Sequence, residues 1–160
     1  MAANSRAIRL LKAMDNLVTK KCFDSGVVLN KLKVTTATNG EFKGTFTVDK
    51  SMCNMAGTLH GGYIAAVSDV FSYYTLLSNN DAKISFTIAM NINYIKAAFE
   101  GETVNVASKS LKKGKTSVVE TYFHNEKGNI LAKSIISFLA GPESMQSIPK
   151  DFIGFDLTQN

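Results

Sequence analysis

From Gly61 to Ser78 the chain has apolar side chains on nearly every side of a helix: Tyr63, Ile64, Val67, Val70, Phe71, Tyr73, Tyr74, Leu76 and Leu77. A helix that is apolar all round cannot rest on a surface, so this one is expected at the centre of the molecule with other elements wrapped around it. The flanking sequence supplies the wrapping. Val27 to Thr38 and Phe42 to Val48 are rich in β-branched residues, and Asn39-Gly40 between them is a strong hairpin signal. After the helix, Ile84, Phe86, Ile88, Met90, Ile92 and Tyr94 alternate with small or polar residues, as on a long strand with one apolar face. Further strands are expected over Thr103 to Leu111, Thr116 to His124 and Ile130 to Leu139, separated by turn residues at Gly114 and Gly128. With a leading helix over Ser5 to Lys20, the order is helix, two strands, central helix, four strands. This pattern argues for an α+β fold with an antiparallel sheet packed on a helix.

At 160 residues and 45% hydrophobic content, the chain is expected to form one globular domain. Within it we read a leading helix over 1–26, a core domain over 27–140 and a C-terminal extension over 141–160. The extension carries Pro142, Pro149, Phe152 and Phe155 and no recognisable chemistry. Cys22 and Cys53 make neither a disulfide framework nor a zinc cluster, so no metal site is expected. No run of apolar residues is long enough to span a bilayer. The expected compartment is the cytoplasm, with mitochondria as the alternative, because Met1 to Met14 carries Arg6, Arg9 and Lys12 and no acid. A net charge of +5 points to an anionic partner. No nucleic-acid-binding motif accompanies it, so a small phosphorylated ligand fits better.

Chemistry concentrates around the central helix. Between Ser51 and Asn80 the only formally charged side chain is Asp69, set in the middle of the most apolar helix of the chain. A lone carboxylate there is either an expensive accident or a reagent, since desolvation favours proton uptake and suits a general base or acid. Gly61 and Gly62 open the same helix, where N–H groups lack intrahelical partners and the dipole is positive. Such a start can hold a carbonyl oxygen, or can simply be a tight turn.

The run Asn54-x-x-Gly57-Thr58-Leu59-His60-Gly61-Gly62, Asp69, the strand Met90-Asn91-Ile92-Asn93-Tyr94 and the hairpin Lys113-Gly114-Lys115-Thr116 together resemble the hotdog-fold acyl-coenzyme A thioesterases. The likeness runs from about Val27 to Leu139. It implies a hotdog fold, with the antiparallel sheet wrapped around the long helix. It also implies hydrolysis of medium- to long-chain fatty acyl-CoA without a separate cofactor, coenzyme A being part of the substrate. Asp69 would then activate or hold water, and Asn54 with the Gly61 N–H would polarise the thioester carbonyl. His60 would orient neighbours, and Thr87 would stand where the family has a water-positioning serine. Plain alternation places Thr87 opposite Phe86 and Ile88; a bulge, a dimer-facing location or a wrong assignment would each account for that.

The resemblance further places coenzyme A contacts at Tyr94, Ile95 and Lys96 and on Lys112, Lys113, Gly114, Lys115, Thr116 and Ser117. Read alone, a lysine-rich turn is usually a solvated tip, and it is the resemblance that makes it a coenzyme A contact. Tyr63, Val67, Phe71 and Tyr74 are expected to line the acyl tunnel. Eight residues separate Gly61 from Asp69, about 12 Å along a helix, which is far for one reacting carbonyl and its water. Two antiparallel helices across a two-fold axis would bring one chain's Gly61 to the other's Asp69. The resemblance likewise implies homodimers with shared sites, often paired into tetramers. Two other readings stand beside this one: a hotdog dehydratase, which fits His60-Gly61-Gly62 poorly, and a sensor or carrier that binds acyl-CoA without turning it over.

Overall fold

A computed structural model of the chain describes residues 5–17, 19 and 21–146. Helix α1 (Ser5–Leu17) leads into a π-helical turn (Asp24–Leu29), strands β1 (Lys33–Thr38) and β2 (Glu41–Thr47), and a single 3-10 turn (Lys50–Met52). Helix α2 (Gly61–Leu77) follows, then β3 (Ser85–Tyr94), β4 (Thr103–Lys112), β5 (Thr116–Asn125) and β6 (Ile130–Ala140). The six strands form one antiparallel sheet in the order β1-β2-β4-β5-β6-β3. Val18, Pro149, Phe152 and Phe155 lie outside the described residues, so the far end of the expected leading helix and most of the extension do as well.

The central helix is wrapped on two sides. Its sheet side meets Phe42, Phe123 and Phe138, all fully buried; the Phe42 and Phe71 rings meet edge to face at 5.9 Å. The π-helical turn covers another side, with Val28 and Leu29 buried in the same core. This corrects the expected first strand. Val27 to Leu29 are β-branched or apolar but belong to a helical turn, and the strand begins only at Lys33. Ser25 Oγ accepts from the Cys22 N–H at 3.3 Å and holds the turn, while burial against α2 outweighs the local strand preference.

Helix α1 belongs to the same core: Ala7, Leu10, Ala13 and Met14 are buried, whereas Ile8 is 40% exposed. At the Asn39-Gly40 hairpin only Gly40 has positive φ, at +78°, so the turn is not the type I′ that this pair favours.

Strand β3 departs most from its pattern. It lies at the sheet edge with nothing paired beyond it, so its expected apolar face is largely open: Phe86 is 48% exposed, Ile88 55% and Met90 38%. Its pairing with β6 steps from Thr87↔Phe138 to Ala89↔Ser137, leaving Ile88 as an extra residue in a bulge. Before the bulge, Thr87 stands opposite inward-facing Phe138; after it, Met90, Ile92 and Tyr94 stand opposite inward-facing Ile136, Ser134 and Ala132. The bulge therefore turns Thr87 and Tyr94 toward the helix together, which plain alternation forbids.

Candidate active site

The start of α2 is built by the loop before it. Asn54 Oδ1 accepts from the N–H groups of Ala56 and Thr58 at 3.0 and 3.2 Å, and its Nδ2 donates to Thr58 Oγ1 at 2.8 Å. Asn54 thus folds its own loop first, the Asx-turn role open to any such residue. Gly57 takes φ +75° at that loop's tip. His60 is the helix N-cap, and its Nδ1 accepts from the Gly62 N–H at 2.8 Å. That bond leaves the ring's proton on Nε2 when the imidazole is neutral, and it caps the start of the helix.

Gly61 is then the donor left over. Its N–H has no acceptor among the described residues, and it sits in the first turn, where the helix dipole favours negative charge. Tyr94 closes over it. The phenol donates to the Gly61 carbonyl at 3.1 Å, and its ring would lie 3.2 to 3.5 Å from a Cβ placed at Gly61. Beside this contact runs a groove of about 310 Å³ lined by Leu59, Gly61, Ile64, Tyr94, Ile95, Lys96, Ala97, Ala98 and Leu131. Tyr94, Ile95 and Lys96 are thus brought to the same place as Gly61.

Further along α2, Thr87 Oγ1 donates to Asp69 Oδ1 at 2.6 Å. The carboxylate is half-buried and has this hydroxyl as partner, so it is neither unpaired nor sealed from water as the sequence led one to expect. Sequence reasoning missed Asp24. It lies on the π-helical turn packed beside α2, and its own carboxyl is raised above the ordinary aspartate range, first by burial and then by the charge of Asp69. No local pattern marked it, because it falls between the expected leading helix and the expected strand from Val27.

The lysine hairpin lies elsewhere. Lys112 ends β4, Thr116 begins β5, and Ser117 Oγ donates to the Gly114 carbonyl at 3.2 Å. Gly114 and Lys115, with Asp81, Lys83, Ala140, Gly141 and Pro142, line a hollow of about 430 Å³. Lys113 Nζ stands 4.0 Å from Asp81, just past the end of α2. This is the Ser85 end of β3, whereas Tyr94 ends the same strand, some 30 Å away for nine steps of about 3.3 Å. One chain therefore does not bring the two expected coenzyme A segments together.

The tunnel expectation fails for a packing reason. Tyr63, Val67, Phe71 and Tyr74 are at most 8% exposed, and Tyr63 stacks edge to face on Phe46 at 5.5 Å. Their bulk fills the core instead of lining a channel.

One antiparallel sheet packed on a long apolar helix is the architecture of the hotdog fold. Residues 56–131 match the model of the thioesterase superfamily. Acyl-coenzyme A thioesterase 13 of Homo sapiens is 34% identical over 89 residues, covering 56% of this chain and 64% of that protein. A protein of Archaeoglobus fulgidus described as a putative esterase is 30% identical over 113 residues, covering 71% of this chain and 68% of the relative. The crystal structure of zebra fish thioesterase superfamily member 2 superposes with a TM-score of 0.77 at 25% identity, over 81% of this chain and 94% of that one. The chain belongs to the thioesterase superfamily and has its hotdog fold.

Proposed function

We propose that the protein is an acyl-CoA thioesterase that hydrolyses medium- to long-chain fatty acyl-CoA to the free acid and coenzyme A. The observation that carries this reading is the 2.6 Å bond from Thr87 to Asp69, which aims a carboxylate at a half-open face where a water can reach it. Asp69 takes a proton from that water as its oxygen attacks the thioester carbon. Negative charge then grows on the carbonyl oxygen, where the open N–H of Gly61 and the helix dipole lower its energy; Asn54 has one amide hydrogen left to add. The C–S bond breaks as the tetrahedral intermediate collapses. The thiol is a good leaving group, because thiolates are stable near pKa 8.5. The mechanism needs no metal or separate cofactor.

Gly61 and Asp69 sit about 12 Å apart on one helix, so each reaction site is read as shared between two copies. The unpaired edge of β3, with Phe86, Ile88 and Met90 exposed along it, is suited to pairing with its own two-fold copy. That arrangement would also carry one chain's lysine hairpin toward the other's Gly61 groove. A dimer of such dimers in the cytoplasm completes the reading. Among the described residues no helix is long and apolar enough to cross a membrane.

The test uses two inactive variants. Purified protein is given a series of acyl-CoAs with a thiol reagent, and Asp69→Asn and Gly61→Ala are each expected to abolish steady release. Mixing and re-associating the two should restore up to about one quarter of wild-type activity, since half the random dimers hold one intact site. Wild-type protein that binds acyl-CoA tightly without releasing thiol would leave only the carrier reading. Full activity in isolated monomers would refute the shared site.

A further inference from the structure

The hollow beside the lysine hairpin has two walls: the irregular segment 78–84 after α2, and the end of β6 at Ala140 with Gly141 and Pro142 after it. Each wall is tied by a buried polar side chain from near one end of the described chain. Arg6 of α1 is 2% exposed; it donates from Nε to the Leu77 carbonyl at 3.0 Å, from Nη1 to Asn80 at 2.6 Å and from Nη2 to Ala82 at 3.2 Å. Asp81, between two of those carbonyls, lines the hollow, and its charge acts on Arg6 as well as standing near Lys113.

Gln146 does the same for the other wall. It is 6% exposed; its Oε1 accepts from the Ile84 N–H at 2.7 Å, and its Nε2 shares two hydrogens among the carbonyls of Ile84, Gly141 and Pro142 at 3.1 to 3.4 Å. It thus stitches the segment entering β3 to the segment leaving β6. Glu143, three residues earlier, reaches Lys83 at 3.4 Å, so the same extension also holds one of the hollow's cations.

Burying a guanidinium or an amide costs several kcal/mol unless its hydrogen bonds are made. An apolar side chain would fill either place at lower cost, but it could not fix where three carbonyls stand. Arg6 places three of its five donors, and Gln146 both its oxygen and its amide hydrogens, on main chain that lines or adjoins one hollow. We propose that Arg6 and Gln146 are positioning residues for the lysine pocket: by fixing the 80–84 and 140–142 main chain, they set how well it holds the phosphate end of a coenzyme A ester. The proposal rests on the acyl-CoA reading above and gives Arg6 and Gln146 a role that the sequence did not suggest for them.

The experiment compares one acyl group carried on coenzyme A and on pantetheine, which lacks the nucleotide. For Gln146→Ala and Arg6→Ala, KM for the coenzyme A ester should rise about tenfold with kcat unchanged, as for loss of a phosphate contact, while the pantetheine ester is unaffected. Arg6→Lys, which keeps the charge but not the fork, and Gln146→Glu, which keeps the shape but not the donors, serve if an alanine variant fails to fold. Equal losses on both esters, or no loss in a folded variant, would overturn the proposal. Should the wild type release no thiol from either ester, the hydrolase reading alone falls. The same ratio is then read by calorimetry with free coenzyme A and pantetheine.

Discussion

Replacing Gly61 by alanine separates the fold from the chemistry. The new methyl would lie 3.2 and 3.3 Å from two carbons of the Tyr94 ring, against an ordinary carbon separation of about 3.5 to 4.0 Å, and 3.5 Å from its hydroxyl oxygen. The ring must retreat by a few tenths of an ångström. It is 57% exposed and free to swing, at the expense of its bond to the Gly61 carbonyl, worth about 0.5–1.5 kcal/mol. Against this, Gly61 lies in a helix without positive φ, so alanine recovers about 0.4–1 kcal/mol of backbone entropy. The two nearly cancel, and the melting temperature should move by no more than about 4 °C in a chain of this size. Activity should not be spared. The methyl stands where a substrate carbonyl must approach the N–H, and losing one oxyanion donor costs about 10²–10³ in kcat. Thermal melts and thiol release on the same preparation check both halves. Wild-type turnover in a folded Gly61→Ala protein would refute the assignment of this N–H, and a collapse of the fold would refute the accounting at Tyr94.

Other expectations follow from the same geometry. Gly44→Ala would put a methyl 2.9 Å from the Lys33 carbonyl and 3.2 Å from Phe71, so calorimetry should find it about 1–3 kcal/mol less stable with turnover per folded molecule preserved. The Asp49 carboxyl is pulled down to about 2, chiefly by its bond from Lys31 and then by Ser51. A depressed acid stabilises the fold above its unfolded pKa, so this contribution should fade as pH falls from about 4 to about 2; Asp49→Asn should flatten that part of a stability-against-pH curve. Asp24 has the opposite sign: its ionised form is disfavoured in the fold, so Asp24→Asn should slightly raise the melting temperature at pH 7, with the gain vanishing below the ordinary aspartate range.

The architecture was legible where burial and periodicity agree. An all-round apolar α2 has only one kind of place to go, and the later strands were bounded by turns such as Gly114 and Gly128, both at positive φ. What the sequence concealed depends on partners distant in the chain. Val27 to Leu29 read as strand until packing against α2 is known, and only the same packing shows that Asp24 comes under the charge of Asp69. Tyr63 and Phe71 look like tunnel walls on a helical wheel, but only their ring contacts with Phe46 and Phe42 show that they fill the interior. Arg6 read as one of three basic residues in an acid-free leading segment, because nothing local announces that its carbonyl acceptors lie more than seventy positions away.

The extra residue at Ile88 acts as a phase shift. Downstream of it the strand runs out of step with its first half, and this offset lets a hydroxyl near one end and a phenol at the other serve the same helix. What the site needs is the parity of this strand, not its length. With every residue kept, straightening the bulge would leave the strand able to present either the Asp69 partner or the Gly61 cover, but not both; removing Ile88 would leave an even step, and a regular strand could present the two together.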